Sequence, residues 1–251
     1  MRLAARSLRA AFAFLTRLPV GGHPYEGRTL AWAPAYFPVV GLVLGALLAG
    51  MHRMLWPLGG LADAALVMGL SLLLTGALHE DGLADTCDAL GGAHDRERVL
   101  EILKDSRTGV FGACALVISL VGRMALLERL GRGAEWALPL VGCAARVAPV
   151  WQMLVLPYVS RAAAKSRNLA RVRLPQALLA TAWLLIAAGA AFAGRMADAA
   201  RLVALFVALT AVTVLTAWRY ARRVGGITGD FLGATEQLSE LAALAVLAYR
   251  P

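Results

Sequence analysis

Eight of the sixteen Asp and Glu residues in this 251-residue chain fall between Glu80 and Asp105, about a tenth of its length. Dispersed solubility does not account for such crowding. At about 100° per residue, Asp81, Asp85 and Asp88 share one stripe, so a helix continuing the preceding apolar span presents three carboxylates side by side. Two carboxylates about 5 Å apart repel by roughly 3 kcal/mol at an effective dielectric of about 20, and near a membrane they need a proton or a cation. All-oxygen ligands favour Mg²⁺ or a similar hard ion. A solvated helix face, or pairing with Arg96, Arg98 and Lys104, would satisfy the same charges without a metal.

Asp105-Ser106-Arg107-Thr108-Gly109 follows an amphipathic piece and precedes Gly112 at the start of the next apolar run. If this loop folds back over the stripe, Asp105 completes a metal site and Arg107 grips a phosphate with its planar fork. The alternative is a helix N-cap at Asp105 or Ser106 with Arg107 at the headgroups. A second polar cluster, Gly225 to Glu240, runs into the last apolar stretch and carries Asp230, with Glu236 and Glu240 on one helical face. Acids entering an apolar segment face a cavity or a partner, because a central charge costs about 2.5–3.5 kcal/mol on insertion scales. Arg146, mid-span, is expensive for the same reason and calls for a carboxylate or a phosphate; Arg123, nearer a span end, is expected to snorkel. His79 beside the stripe reads as a proton carrier, a donor to phosphate or a structural polar residue. P-loop, GxGxxG, HExxH and CxxC patterns are missing from the sequence, leaving ATPase, dinucleotide-binding, zincin and thiol-redox readings unsupported. Acids for a metal, scattered Arg and a membrane-plane location point to phosphoryl or phosphodiester transfer on an amphiphilic substrate.

The elements that must position these residues are membrane helices. The chain is 59% apolar and 16% charged, against roughly a quarter charged in soluble domains. The reading is an all-α, polytopic membrane protein with about six to seven transmembrane helices. Spans are expected near 31–52, 61–78, 110–127, 136–156, 174–193 and 202–218, with a shorter stretch at 238–248. With a cytoplasmic N-terminus, seventeen Lys and Arg lie in inside pieces against five outside, a positive-inside asymmetry that puts the acidic loop 79–109 in the cytoplasm. That asymmetry also accounts for the net charge of +9, so no nucleic-acid partner is expected. Arg2, Arg6 and Arg9 oppose Leu8, Phe12 and Leu15 on an N-terminal interfacial helix, and no cleavable signal peptide is expected. Thr16-Arg17-Leu18-Pro19 and Phe37-Pro38 read as turn or helix-entry elements. Gly41 with Gly45 reads as a helix-packing contact. Residues 1–251 form one integral membrane domain, its lipid partner the bilayer, and the sequence is compatible with a homo-oligomer.

The chain resembles the cobalamin synthase family, the adenosylcobinamide-GDP ribazoletransferases. The resemblance is carried by Phe14-Leu15-Thr16-Arg17-Leu18-Pro19, Phe37-Pro38-Val39-Val40-Gly41 and His79-Glu80-Asp81-Gly82-Leu83-Ala84-Asp85-Thr86-Cys87-Asp88. It continues in Asp105-Ser106-Arg107-Thr108-Gly109 with Gly112, and in Gly226-Ile227-Thr228-Gly229-Asp230-Phe231-Leu232-Gly233-Ala234 with Glu236 and Glu240. It implies a Mg²⁺-dependent enzyme of the bacterial inner membrane, its active site facing the cytoplasm. The substrates it implies are adenosylcobinamide-GDP and α-ribazole or its 5′-phosphate: a ribose hydroxyl attacks the cobinamide-linked phosphate and expels GMP. On this reading Asp81, Asp85, Asp88 and Asp105 bind the metal, and His79 and Arg107 join Asp81 and Asp85 in catalysis, with Asp85 the candidate base. Lys104 and Arg146 bind substrate, and Asp230, Glu236 and Glu240 bind substrate or hold a second metal. The competing class is an ion-coupled carrier, which would place acids near the bilayer midplane and show a repeat between halves.

Overall fold

A computed structural model of the chain describes residues 2–21, 25, 27–105, 107–159 and 172–249. The basic loop residues Arg161, Lys165, Arg167 and Arg171, and Ser106, lie outside the described residues. The helices are α1 (Arg2–Leu15), α2 (Gly27–Trp32), α3 (Phe37–Leu55), α4 (Gly60–Thr75), α5 (Leu78–Gly92) and α6 (Arg96–Ile102). They continue as α7 (Val110–Leu130), α8 (Ala134–Ala145), α9 (Val147–Val155), α10 (Leu174–Ala193), α11 (Ala199–Val224) and α12 (Gly229–Ala248). Among the described residues the only extended pairing is an isolated bridge between Tyr158 and Ile227. The all-α, polytopic expectation therefore holds. Among the described residues five helical stretches are long and apolar enough to cross a membrane, or six with α4 and α5 counted as one bent span. One of the five, Val110–Val155, runs 46 residues, more than twice the length that crosses a hydrocarbon core about 30 Å thick. It turns at Gly131–Gly133, after which α8 runs antiparallel to α3: Gly41 meets Gly142, and Gly45 meets Leu138.

The acidic stripe does not ride on a continuation of the second span. α4 ends at Gly76, which takes the left-handed conformation (φ +66°), and Ala77 N–H returns to the Leu72 carbonyl at 3.0 Å. This glycine-terminated closure stops the helix. The chain then leaves at 91° as α5. The Thr16–Pro19 turn locks the corner from outside: Arg17 N–H donates to the Leu74 carbonyl (2.7 Å), and a Cβ on Gly76 would run into the Arg17 side chain. Residues 79–109 are accordingly largely helical, formed by α5, the short α6 and their connections.

Helix α1 lays Ser7, Ala10, Ala11 and Leu15 on the body of the protein, against α2 and α3, and keeps Arg2 and Arg9 exposed. Small residues allow this close seating. Two apolar clusters make up the interior. One gathers Leu127, Leu140, Leu205 and Leu244; the other, beneath α1, gathers Phe37, Val150, Tyr220 and Phe231. α12 contributes Phe231 to one and Leu244 to the other, so its polar turns from Thr235 to Glu240 lie between two apolar masses. Of the three free cysteines only Cys143 is buried.

Gly41 and Gly45 let α3 touch the α8 backbone, since a Cβ at either would collide with the carbonyl of Gly142 or of Leu138. Overpacking of this kind costs about 1–3 kcal/mol. Gly41→Val is expected to lower the thermal midpoint in detergent by several degrees, whereas Gly50→Val, on the same helix with no neighbour within 4 Å, leaves it unchanged. Equal midpoints for both variants would contradict the packing.

Candidate active site

The site begins where two backbones touch. A Cβ on Gly82 of α5 would lie 2.8 Å from the Asp230 carbonyl oxygen and 3.2 Å from the Gly233 Cα of α12. Gly233 meets the His79 backbone in return. This contact brings Asp81 and Asp85, on either side of Gly82, next to Asp230 at the start of α12, close enough that Asp81, Asp230 and Asp88 all act electrostatically on Asp85. Asp81 is exposed, Asp85 and Asp230 are half-buried, and Asp88 is buried. Thr228 caps α12, accepting from Phe231 N–H (3.3 Å) and donating to Asp230 (3.3 Å).

Below this surface lies a paired layer of buried charge. Arg146, on the break between α8 and α9, meets Glu236 at 3.0 Å. Glu236 also faces His79 Nδ1 at 3.5 Å and accepts from Gln237 at 3.0 Å. Arg123 of α7 does not snorkel. It is 1% exposed and stands between Glu80 of α5 (3.0 Å) and Glu240 of α12 (3.2 Å). Sequence reasoning left Glu80 and Arg123 out of the site. The available signal was depth: Arg123 stands well inside the 21-residue helix α7, with Arg129 nearer its end.

Asp88 has a different set of partners from its stripe-mates. Its two oxygens accept N–H bonds from Gly109 (2.7 Å) and Gly112 (2.8 Å) at the start of α7. They satisfy donors that a helix N-terminus leaves open and that favour a negative charge. A Cβ on either glycine would overlap the carboxylate. Asp105 and Arg107 stand apart on the loop, bonded to each other at 2.6 Å, and these hydrogen bonds hold the Asp105 carboxyl down at about 2. Arg107 is 86% exposed.

Two clefts open on the acids and share Asp230. One, enclosing about 160 Å³, has apolar walls that include Phe14, Phe37, Met153 and Leu232, and a polar floor of Asp81, His79, Arg146 and Glu236. The other, enclosing about 300 Å³, is framed by Arg96, Glu97, Lys104 and Thr228. Among the described residues no three His, Cys, Asp or Glu side chains already converge as a metal cage. The donor set nevertheless suits Mg²⁺, which is commonly held by one or two carboxylates and completed by substrate phosphates and water. Asp81 and Asp230 are the aspartates that line the clefts, with Asp85 within electrostatic reach of both; Asp88 is engaged by backbone N–H groups and Asp105 by Arg107.

A sequence model of the family described as cobalamin-5-phosphate synthase matches residues 7–248. Curated relatives named adenosylcobinamide-GDP ribazoletransferase match nearly end to end. The Pseudomonas aeruginosa protein is 40% identical over 256 residues, covering 99% of this chain and 100% of the relative. The Leptothrix cholodnii protein is 39% identical over 252 residues (95% and 93%), and a Polaromonas protein 36% identical over 270 residues (94% of each). No solved structure matches the chain at a significant level.

Removing one partner from a buried ion pair leaves an uncompensated charge and costs about 3–5 kcal/mol. Arg123→Leu, stranding Glu80 and Glu240, is therefore expected to unfold at markedly lower denaturant in detergent. Arg107→Ala, which breaks an exposed pair, leaves the unfolding transition essentially where it was. Wild-type stability in Arg123→Leu would show that the triad does not hold the helices.

Proposed function

The chain belongs to the cobalamin-5-phosphate synthase family, and from that premise we propose that it joins α-ribazole or α-ribazole 5′-phosphate to adenosylcobinamide-GDP and releases GMP. The observation that carries the reading is the meeting of Asp81 and Asp85 with Asp230 at the Gly82 contact, between one charged and one apolar cleft. In the reaction a ribose hydroxyl oxygen of the acceptor forms a new bond to the phosphorus linked to cobinamide. The bond from that phosphorus to the bridging oxygen breaks, its electron pair leaves with GMP, and the hydroxyl proton passes to a base.

Asp85 is our candidate for that base: it is half-buried and within electrostatic reach of Asp81 and Asp230, which line the clefts. A bound Mg²⁺, held by one or two of Asp81, Asp85 and Asp230 and completed by substrate phosphate and water, would supply charge neutralisation for the diphosphate. Lys104 and Arg96 at the rim of the second cleft offer positive charge to the same diphosphate. Arg107, exposed on its loop, would add to it after exchanging Asp105 for phosphate. Asp88 acts on the reaction through the loop that it pins at Gly109 and Gly112. His79, Arg146 and Glu236 form the polar floor on which acceptor hydroxyl groups are oriented, and Glu240 serves through Arg123. The multi-pass fold belongs in a bacterial inner membrane, and the positive-inside asymmetry supports a cytoplasmic site, where both nucleotide substrates would be available.

Purified protein in detergent with Mg²⁺, adenosylcobinamide-GDP and α-ribazole or its phosphate is expected to yield GMP and the complete cobalamin in equal amounts by mass spectrometry. Asp85→Asn should lower turnover at least about a thousandfold with the fold intact, the scale on which removing a catalytic group acts. Chelation should stop the reaction and added Mg²⁺ restore it. Near-normal turnover in Asp85→Asn would remove the acids from the mechanism; no product from folded wild type with either acceptor would remove the assignment.

A further inference from the structure

The two clefts that meet at Asp230 differ in lining, one walled by Phe14 and Phe37 and the other rimmed by Arg96 and Lys104, and the reaction proposed above has two substrates of opposite character. This inference rests on that reading. The donor carries a diphosphate and a large corrinoid edged with amides. The acceptor is a nucleoside with a flat aromatic base, its attacking hydroxyl one ribose away. The space enclosed by the apolar cleft, about 160 Å³, is far too small for a corrinoid and can take an aromatic base.

Its walls are suited to a flat base. The rings of Phe14 and Phe37 lie parallel, 6° apart in plane and 5.8 Å between centroids. Phe37 is buried at 5% exposure, whereas Phe14 is 45% exposed, so the pair is a fixed ring carrying an accessible one. Met153 and Leu232 continue the apolar lining, and Asp81 with Asp230 stands at its polar end. A base stacked in this lining therefore directs its ribose toward the carboxylates. Among the described residues, Lys and Arg at the second cleft are Lys104 and Arg96, which face a diphosphate better than they face an aromatic ring.

We propose that the apolar cleft walled by Phe14 and Phe37 binds the base of the acceptor nucleoside and sets which bases are accepted, while the Lys104 cleft takes the diphosphate of the donor. The arrangement gives the N-terminal helix a part in the site: α1 delivers Phe14, and the Thr16–Pro19 turn beyond it anchors that helix at the α4–α5 corner.

Steady-state kinetics of the full-length protein separate the two clefts. Phe14→Ala should raise KM for α-ribazole about tenfold or more, the scale of a lost base–aromatic stack, with kcat and the donor KM within about twofold. Phe14→Tyr should recover most of the loss. Lys104→Ala should show the converse, a raised donor KM and an unchanged acceptor KM. With wild type alone, an acceptor whose base is a single imidazole ring should bind more weakly than α-ribazole, a comparison that needs no variant to fold. An unchanged acceptor KM in Phe14→Ala, a raised donor KM there, or indifference to ring size would overturn the assignment while leaving the transferase reading intact. Absence of turnover by folded wild type would instead overturn that reading and this inference with it.

Discussion

A guanidinium enclosed by an apolar bundle must be neutralised where it sits, and Arg123 is neutralised by one carboxylate from α5 and one from α12. Water is excluded there, so neither acid can be given up without stranding the other charges. The consequence is geometric. α7 grips the two helices that carry the reactive acids, and Gly82 and Gly233 let those helices approach until backbone meets backbone. Asp81, Asp85 and Asp230 are held close together despite their mutual repulsion because the charges buried under them are paired with one another. The Arg146–Glu236 pair and His79 complete that layer one turn earlier on the same face of α12.

The corner between α4 and α5 makes this arrangement possible in a membrane protein. A straight continuation of α4 would carry the acids away from the bundle. The left-handed Gly76 and the 91° turn lay α5 back against α7 and α12, so that its acids face protein and clefts. Arg17 fastens the corner from α1, and Asp88 fastens the α7 N-terminus to the far end of α5. Three sequence motifs far apart in the chain thus serve one purpose, the placement of α5.

Much of this was legible in the residue order. The density of acids after Glu80, the polar entry to the last apolar stretch and the mid-span Arg146 all marked positions that come together. Local periodicity and charge cost are enough to find such features. The Gly41 and Gly45 contact was legible as small residues spaced for close helix packing. The bend was not, because a helical stripe looks the same whether or not its helix continues the preceding one, and Gly76 signals a stop only once the Ala77 N–H is seen to return to Leu72. Arg123 was taken for a snorkelling residue because its partners, Glu80 and Glu240, are distant in sequence. The partners of Asp88 were hidden for the same reason: Asp81, Asp85 and Asp88 share a stripe, and only the position of the α7 N-terminus singles out the third. The clefts depend on which helix faces which, something periodicity does not record.

The central claim is that acids from α5 and α12 form one reactive centre rather than two independent ones. A double-mutant cycle on kcat/KM with Asp81→Asn and Asp230→Asn tests it most directly, since groups acting as a unit are strongly non-additive. If the centre is one, each single replacement removes most of the activity and the double variant is little worse than the poorer single. Losses that multiply in full, as for independent positions, would contradict the joined site at Gly82.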